Sequence, residues 1–421
     1  MKRNSHTLRL AAIAAASALV LSACGSDDSG DDKGDNDKPA AKGDGVLTIG
    51  SLLPQTGNLA FLGPPEFAGV DLAVKDINEA GGVLGKDVVH VKGDSGDTDS
   101  GIAPAETDKL IKAKADVIVG AAASGVSMTV IDKIMGAGVV QFSPANTSTD
   151  FDTGDYSKPD LYFRTAPSDI LQGAVMANLL VKDGRQNVAI LARQDSYGQV
   201  LAKEVATNLE AAGSKVAVNE LYSEKDGPSD TQIAAVANAK PDAVVLIAFD
   251  ETKNVIPKLI QAGVAPKDVP TYFVDGNTAD YSKDFPKGTL TGTKGTTPAV
   301  ELSDDFKKRL ATVNDKLKDY TYAAESYDAV VVSALAAIAA DNDSGEAIAK
   351  EIPGITKDGE KCTTFADCKK LLEDGKDIDY DGISGEIELS DLGSPTSASI
   401  GVFQYGDDNT YKPVEYIKGS I

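Results

Sequence analysis

Two loops in the first third of the chain are rich in small and hydroxyl-bearing residues, at points where apolar β-like runs end. Residues 118–120 (IVG) lead into 121–125 (AAASG), and residues 139–142 (VVQF) lead into 143–147 (SPANT). At the carboxyl end of a strand, such loops can turn backbone N–H groups and hydroxyl groups toward one anion without a basic side chain. The sequence therefore predicts a carboxylate-binding site, and the alternative is that these hydroxyl groups only cap helices.

Short apolar runs alternate with amphipathic stretches along most of the chain, which indicates βαβ units and parallel sheets. A second set of units begins after Phe163, so the fold class is α/β with two Rossmann-like lobes and mainly parallel sheets. The predicted strands are 46–53, 88–92, 116–120, 187–192, 215–221, 243–249, 271–274, 383–389 and 399–405; the predicted helices are 64–80, 102–114, 170–181, 198–212, 230–239, 253–262, 303–318 and 322–340.

Length and charge narrow the classes of function. The 421 residues suggest two or three globular units. The formal net charge of −23 repels nucleic acids and anionic lipid headgroups, so neither is an expected partner. With 3 Cys and 2 His, a Cys/His zinc site is not expected, and we predict no metal and no cofactor.

The first 45 residues are predicted to lie outside the fold. Residues 1–23 have a basic start and then an apolar run from Leu10 to Leu21, which is typical of a secretory signal. This segment ends in Leu-Ser-Ala before Cys24, which resembles a bacterial lipobox, so Cys24 is predicted to carry a lipid. Residues 24–45 contain almost only Gly, Asp, Ser, Lys, Asn, Pro and Ala and are predicted to form a flexible acidic linker.

Six short phrases stand out along the chain: residues 49–57 (IGSLLPQTG), 61–63 (FLG), 76–85 (DINEAGGVLG), 143–147 (SPANT), 163–169 (FRTAPSD) and 196–198 (SYG). In this order and spacing, they resemble the leucine/isoleucine/valine-binding family of ABC-importer solute-binding proteins over essentially all of residues 46–418. The resemblance implies the type I periplasmic-binding-protein fold, with a hinge of three crossings near 164–166, 295–298 and 383–388. Lobe I would comprise 46–165 plus 297–384, and lobe II 166–296 plus 385–421.

The same resemblance implies a binding site between the lobes for the carboxylate and ammonium groups of an amino acid. Asp275 would pair with the ammonium group, because an unpaired buried charge costs several kcal/mol. Asp250 and Glu251 are rivals for that role, unless they cap the helix that begins at Thr252. The positions that match the family's contacts are Ser124, Ala145, Asn146, Thr147, Tyr197 and Asp275 for the head group, and Phe249, Tyr322 and Leu62, which replaces an aromatic residue, for the side chain.

The implied function is that of a monomeric, extracytoplasmic, lipid-anchored binding protein that closes on a branched-chain or similar amino acid and delivers it to an ABC permease. A sensory lipoprotein, or a binder of amides, urea or aromatic acids, shares the same pattern. We do not expect an enzyme. His90 is the sole histidine after the predicted signal, any Ser-His-Asp triad would have to use it, and no GxSxG motif is present.

Cys362 and Cys368 are separated by a short segment and would be exported to an oxidising compartment. There, a disulfide between them is predicted. A metal pair is the alternative, but it lacks further ligands, because His90 is the only histidine outside the predicted signal.

Overall fold

The computed structural model describes residues 42–153 and 161–421. The predicted signal sequence, Cys24 and the linker as far as residue 41 lie outside the described residues.

The first sheet and its helices are formed by β1 (Thr48–Leu53), α1 (Gly63–Glu79), β2 (Val89–Asp94), α2 (Ala103–Lys112), β3 (Val117–Gly120), α3 (Ser124–Gly136), β4 (Val140–Ser143) and β5 (Tyr162–Arg164). The strands of this sheet are all parallel, in the spatial order β2-β1-β3-β4-β5. Strands β1, β3, β4 and β5 are buried along their whole length, as expected for a parallel sheet covered by helices on both faces.

A second βα series follows the first crossing of the chain. Its strands are again parallel to one another, which confirms the prediction of two mainly parallel sheets. The elements are α4 (Asp169–Lys182), β6 (Asn187–Arg193), α5 (Gly198–Ala211), β7 (Lys215–Tyr222), α6 (Asp230–Asn238), β8 (Ala243–Ile247), α7 (Thr252–Gln261), β9 (Thr271–Phe273) and β10 (Lys294–Pro298).

After β10 the chain returns to the first sheet. The elements of this return are α8 (Asp304–Leu310), α9 (Ala323–Ala339), α10 (Gly345–Glu351), β11 (Glu360–Cys362), α11 (Phe365–Glu373) and β12 (Ile378–Tyr380). Helix α9 packs along α1 and is buried from Ala323 to Ala337, so it belongs to the core, as its apolar composition predicts.

The chain ends in the second sheet. Strands β13 (Ser397–Tyr405) and β14 (Tyr411–Ser420) run antiparallel to their neighbours at one edge, in the order β14-β13-β10-β9-β8-β6-β7. The chain therefore passes between the sheets after β5, after β10 and before β13. The residues chosen as lobe boundaries remain a prediction.

Two predicted elements differ from the structure. The predicted helix 303–318 is too long and ends at Leu310, because the backbone N–H and the hydroxyl of Thr312 both donate to the Arg309 carbonyl, which the Val313 N–H would take in a continued helix. The predicted strand 383–389 does not form, because the Asp328 carboxylate takes the backbone N–H groups of Ile383 and Ser384, which a ladder would need.

The sulfur atoms of Cys362 and Cys368 are bonded in the structure, with Cα atoms 5.4 Å apart. Formation of this disulfide in the exported protein stays a prediction. Within residues 42–153 and 161–421, every helix is too short or too polar to cross a lipid bilayer.

Candidate functional site

The loop after β4 is held from inside by its own side chains. The Ser143 hydroxyl accepts the backbone N–H groups of Ala145 (3.2 Å) and Asn146 (2.9 Å) and donates to the Ala121 carbonyl (2.7 Å). The Asn146 side-chain amide donates to the Ala121 carbonyl oxygen, and the Tyr162 hydroxyl donates to the side-chain amide oxygen of Asn146. Asn146, predicted as a ligand contact, therefore has its side chain committed to shaping the loop.

Arg164 also holds the loop after β4 in place. Its fully buried guanidinium group donates to the carbonyl oxygens of Asn146 (3.2 Å) and Ser148 (2.9 Å). It also bonds the Ser394 hydroxyl (2.8 Å) and forms an ion pair with Asp152. Because the carbonyl groups on both sides of Thr147 are held, the orientation of Thr147 is set by Arg164.

Ser124 and Thr147 supply the hydroxyl groups of the predicted carboxylate site. Ser124 is the first residue of α3, where the N–H groups of the first helical turn have no partner within the helix. The Ser124 hydroxyl accepts the backbone N–H of Ser148 (3.4 Å) and no side chain caps α3, so the capping alternative is not found there. The buried Thr147 hydroxyl has no hydrogen-bond partner in the described part of the chain.

Asp275 lies at the centre of a buried polar cluster. It accepts hydrogen bonds from the hydroxyl groups of Tyr197 (2.6 Å) and Tyr322 (2.8 Å) and from the Gln172 amide (3.0 Å). Burial raises the pKa of Asp275, and these hydrogen bonds oppose the rise. A carboxylate has about four acceptor positions, so Asp275 keeps roughly one for a further donor.

Asp169 is a second buried acid beside this cluster, and the sequence interpretation did not single it out. It is the first residue of α4, is completely buried, and neither of its carboxylate oxygens accepts a hydrogen bond from a described residue. Burial and the charge of Asp275 raise the pKa of Asp169 well above its usual value, while the nearby Thr147 hydroxyl acts to lower it. Its only sequence signal was its place in the phrase 163–169, and an acid at a helix N-terminus is ordinarily explained by the helix dipole.

The predicted side-chain contacts fall into one buried apolar cluster. Leu62 and Ala145 come from loops of the first sheet, Tyr197 and Phe249 from loops of the second, and Tyr322 from the residue before α9. The Tyr197 and Phe249 rings stack with centroids 5.3 Å apart. This cluster lies beside Asp275, because Tyr197 and Tyr322 belong to it and donate hydrogen bonds to the Asp275 carboxylate.

Asp250 and Glu251 have other partners. Asp250 forms an ion pair with Lys253 (2.6 Å), and Glu251 accepts from Arg193 (3.0 Å) and from the Tyr222 hydroxyl (3.0 Å). Helix α7 begins at Thr252 as predicted, but neither acid caps it through its side chain. Of the acids proposed from the sequence, Asp275 alone bonds Tyr197 and Tyr322.

Loops at the carboxyl ends of the strands of the two sheets contact each other across the cleft between the sheets. Each contact joins a loop after a strand of the first sheet to a loop after a strand of the second, so the cleft is in its closed arrangement. The hydrogen bonds are Asp250 N–H to Asn58 O (3.3 Å), Ser148 Oγ to Ser196 O (2.8 Å) and Thr98 Oγ1 to Glu224 Oε2 (3.0 Å).

Two α/β sheets with a cleft between them agree with what a comparison of the sequence with protein families finds. The family profile described as periplasmic binding protein matches residues 46–376. The chain belongs to the periplasmic binding protein family. Membership implies an extracytoplasmic location, and it places the chain among substrate-binding proteins.

Individual relatives of this periplasmic binding protein agree with that assignment. The chain is 27% identical to the chemotactic signal transduction system substrate-binding protein BasB of Halobacterium salinarum over 82% of its own length and 83% of the relative. It is 25% identical to the Leu/Ile/Val-binding protein BraC3 of Rhizobium johnstonii, over 85% of its own length and 91% of the relative.

Solved structures share the fold of this binding protein. LivJ, a branched-chain amino acid transporter substrate binding protein from Streptococcus pneumoniae in complex with isoleucine, aligns with a TM-score of 0.72 at 21% identity, over 89% of this chain and all of LivJ. A solute binding protein from R. palustris in complex with benzoate aligns with a TM-score of 0.69 at 18% identity, over 90% of this chain and 98% of the other.

The binding protein also contains a Ser-His-Asp series of hydrogen bonds. Its histidine is His90, the one that any such triad would have to use. The Ser51 hydroxyl lies 2.8 Å from His90 Nε2, and His90 Nδ1 lies 3.0 Å from Asp71, which Lys92 also contacts at 2.6 Å. Ser51 is completely buried in the middle of β1, so no substrate can reach its hydroxyl group. These bonds join β1, β2 and α1 rather than forming a catalytic triad.

Asp169→Asn should stabilise the ligand-free protein at neutral pH. An acid whose pKa is raised by folding lowers stability as the pH rises above its unfolded-state pKa, near 4. Because Asn does not ionise, the substitution should remove this penalty and raise the free energy of unfolding by about 1–3 kcal/mol at pH 7, a gain that disappears toward pH 4. Thermal unfolding of refolded, ligand-free protein across this pH range measures the effect.

Asp328→Asn is the matched control, because Asp328 is equally buried but accepts hydrogen bonds from Tyr380, Ile383 and Ser384. This change should lower the melting temperature. If Asp169→Asn lowers it at pH 7 in the same way, Asp169 is a satisfied structural acid instead.

Proposed function

We propose that this protein is the solute-binding component of an ABC importer and that it binds a small amino acid, branched-chain or similar, between two lobes. The lobes are those bounded by 46–165 plus 297–384 and 166–296 plus 385–421. The observation that carries the proposal is a pair of buried carboxylates, Asp169 and Asp275, close to loops of the first sheet that carry hydroxyl groups and the N-terminus of α3.

The amino acid's two head groups find complementary partners in this arrangement. Its carboxylate would accept hydrogen bonds from the hydroxyl groups of Ser124 and Thr147 and from backbone N–H groups at the start of α3, where negative charge is favoured. Its ammonium group would donate to the remaining acceptor position of Asp275 and to Asp169. Each buried acid would then have an opposite charge as its partner.

The side chain of the ligand would enter the apolar cluster of Leu62, Phe249 and the Tyr197 and Tyr322 rings. Leu62 gives this wall an aliphatic surface, which suits a branched aliphatic chain through burial of apolar area. Because the cluster draws residues from both lobes, a ligand that fills it stabilises the closed form over the open one.

Variants of the two head-group subsites test the proposal. Asp275→Ala and Ser124→Ala should each abolish amino acid binding measured by calorimetry, because truncating one partner of a buried charge costs about 2–5 kcal/mol. A thermal-shift screen with leucine, isoleucine, valine, amides and aromatic acids identifies the titrant, since binding to the native state raises the melting temperature.

Asp250→Ala is the control, since this half-exposed acid pairs with Lys253. It should bind the ligand as the wild type does. Wild-type affinity in both Asp275→Ala and Ser124→Ala would refute the head-group assignment.

A lipid anchor at Cys24 would hold the protein at the outer face of the cell membrane, with residues 24–45 as a spacer. The proposal is supported by the lipobox-like sequence before Cys24. Cys24→Ser should therefore move the protein from the membrane fraction to the soluble fraction after cell lysis and should remove incorporation of labelled fatty acid. Unchanged membrane association of the variant would exclude this anchor.

A sensory role is the second candidate, and the likeness to BasB, a chemotaxis substrate-binding protein, favours it. An importer component and a sensor share the pocket but differ in the membrane partner. Deletion of the gene should abolish uptake of the radiolabelled ligand if the protein serves a permease. Normal uptake with lost chemotaxis toward that ligand would assign the sensory role.

A further inference from the structure

Gln172 lies in α4 and contacts Asp275, the acid to which the proposed function assigns the ligand's ammonium group. It is completely buried. Its amide nitrogen donates to Asp275 Oδ1 (3.0 Å) and to the carbonyl (3.2 Å) and hydroxyl (3.3 Å) oxygen atoms of Thr296 in β10. An amide has two N–H groups, so both are used within the protein.

These contacts fix which way the Gln172 amide faces. A backbone carbonyl and an ionised carboxylate only accept hydrogen bonds, so the amide nitrogen, and not the amide oxygen, must lie toward Asp275 and Thr296. The Asp275 carboxylate therefore has a third donor besides Tyr197 and Tyr322. This donor is itself held by a strand of the second sheet, so Gln172 restrains the position of Asp275.

The amide oxygen of Gln172 is a buried acceptor to which no described residue donates. Asp169, three positions earlier on the same side of α4, is in the same condition at both of its carboxylate oxygens. A buried acceptor without a donor costs stability, and a donor brought by a ligand removes that cost. The start of α4 is therefore suited to a ligand group with several N–H donors.

Three different acceptor groups lie close together here, namely the carboxylates of Asp169 and Asp275 and the amide oxygen of Gln172. Gln172 contacts Asp275 directly, and the charge of Asp275 acts on Asp169. A primary ammonium group has three N–H donors, one for each of these acceptor groups. A secondary ammonium group has two, so its alkyl substituent would leave one acceptor unpaired.

We propose that Gln172 is a positioning and specificity-determining residue of the ammonium subsite. Its N–H groups hold Asp275 in place, and its amide oxygen completes a set of three acceptors that selects a primary ammonium group. The inference rests on the proposed function and deepens it, because it narrows the ligand to amino acids with an unsubstituted amino group. Proline and N-methylated amino acids would then be poor ligands.

Calorimetric titration of the full chain with leucine, isoleucine and valine, each beside its N-methyl derivative, tests the selectivity. The wild type should bind the N-methyl form about tenfold or more weakly, since a buried acceptor stays unpaired. Gln172→Met keeps the length of the side chain but removes the amide, and it should lower this ratio about threefold or more, because the third acceptor is gone. Equal affinity of the wild type for both forms, or an unchanged ratio in Gln172→Met, would overturn the proposal.

Gln141→Met is the matched control. Gln141 in β4 is also completely buried, donates through its amide to the Gly120 carbonyl (3.1 Å), and has an amide oxygen that no residue of the described chain donates to. A general loss of packing weakens both forms of the ligand alike, so Gln141→Met should leave the ratio unchanged. An equal fall of the ratio in the two variants would contradict a specific role of Gln172.

A double-mutant cycle in the ligand-free protein tests the positioning role separately. Gln172→Met and Asp275→Ala, alone and together, should change the unfolding constant non-additively, by about threefold or more, because the two side chains are in contact. Additive effects in denaturant unfolding would overturn the positioning role. Failure of the wild type to bind any α-amino acid would instead refute the proposed function, which this ligand-free cycle does not involve.

Discussion

The buried guanidinium group of Arg164 is the interaction on which the geometry of the cleft depends. It lies at the end of β5, where the chain first passes between the sheets, and bonds the carbonyl groups on both sides of Thr147. Through Ser394 and Asp152 it also ties that crossing to the segment that leads back into β13. A fully buried cation is tolerated because each of these partners satisfies a donor, and the loss of one would leave an unpaired charge.

Two buried acids, Asp328 and Asp169, differ in their hydrogen bonding, and the difference separates a structural acid from one suited to binding a ligand. Asp328 is surrounded by donors from Tyr380, Ile383 and Ser384, so its charge is compensated within the fold. Asp169 is as deeply buried but has no hydrogen-bond partner in the described chain, and it lies close enough to feel the charge of Asp275. An arrangement that weakens the empty protein and favours an incoming cation is expected at a binding site rather than in a structural core.

The sequence predicted the features that depend on local patterns. The α/β alternation, the core helix α9 and the strand-end loops of Ser124 and Thr147 follow from periodicity and small-residue runs. It could not predict that Asp328 would take the N–H groups of residues 383 and 384, since that contact spans more than fifty positions. Asp169 was missed for a related reason, because only the tertiary arrangement brings it near Asp275 and Thr147.

The two carboxylates also bear on which ligand the cleft should take. A benzoate-like acid would add a further negative charge beside Asp169 and Asp275, and it has no donor for either. In the proposed binding mode, an amino acid would place its carboxylate at the hydroxyl groups and its ammonium group beside the acids, so each charge would meet an opposite or hydrogen-bonding partner. The proposed arrangement of charge therefore favours a zwitterion in the cleft.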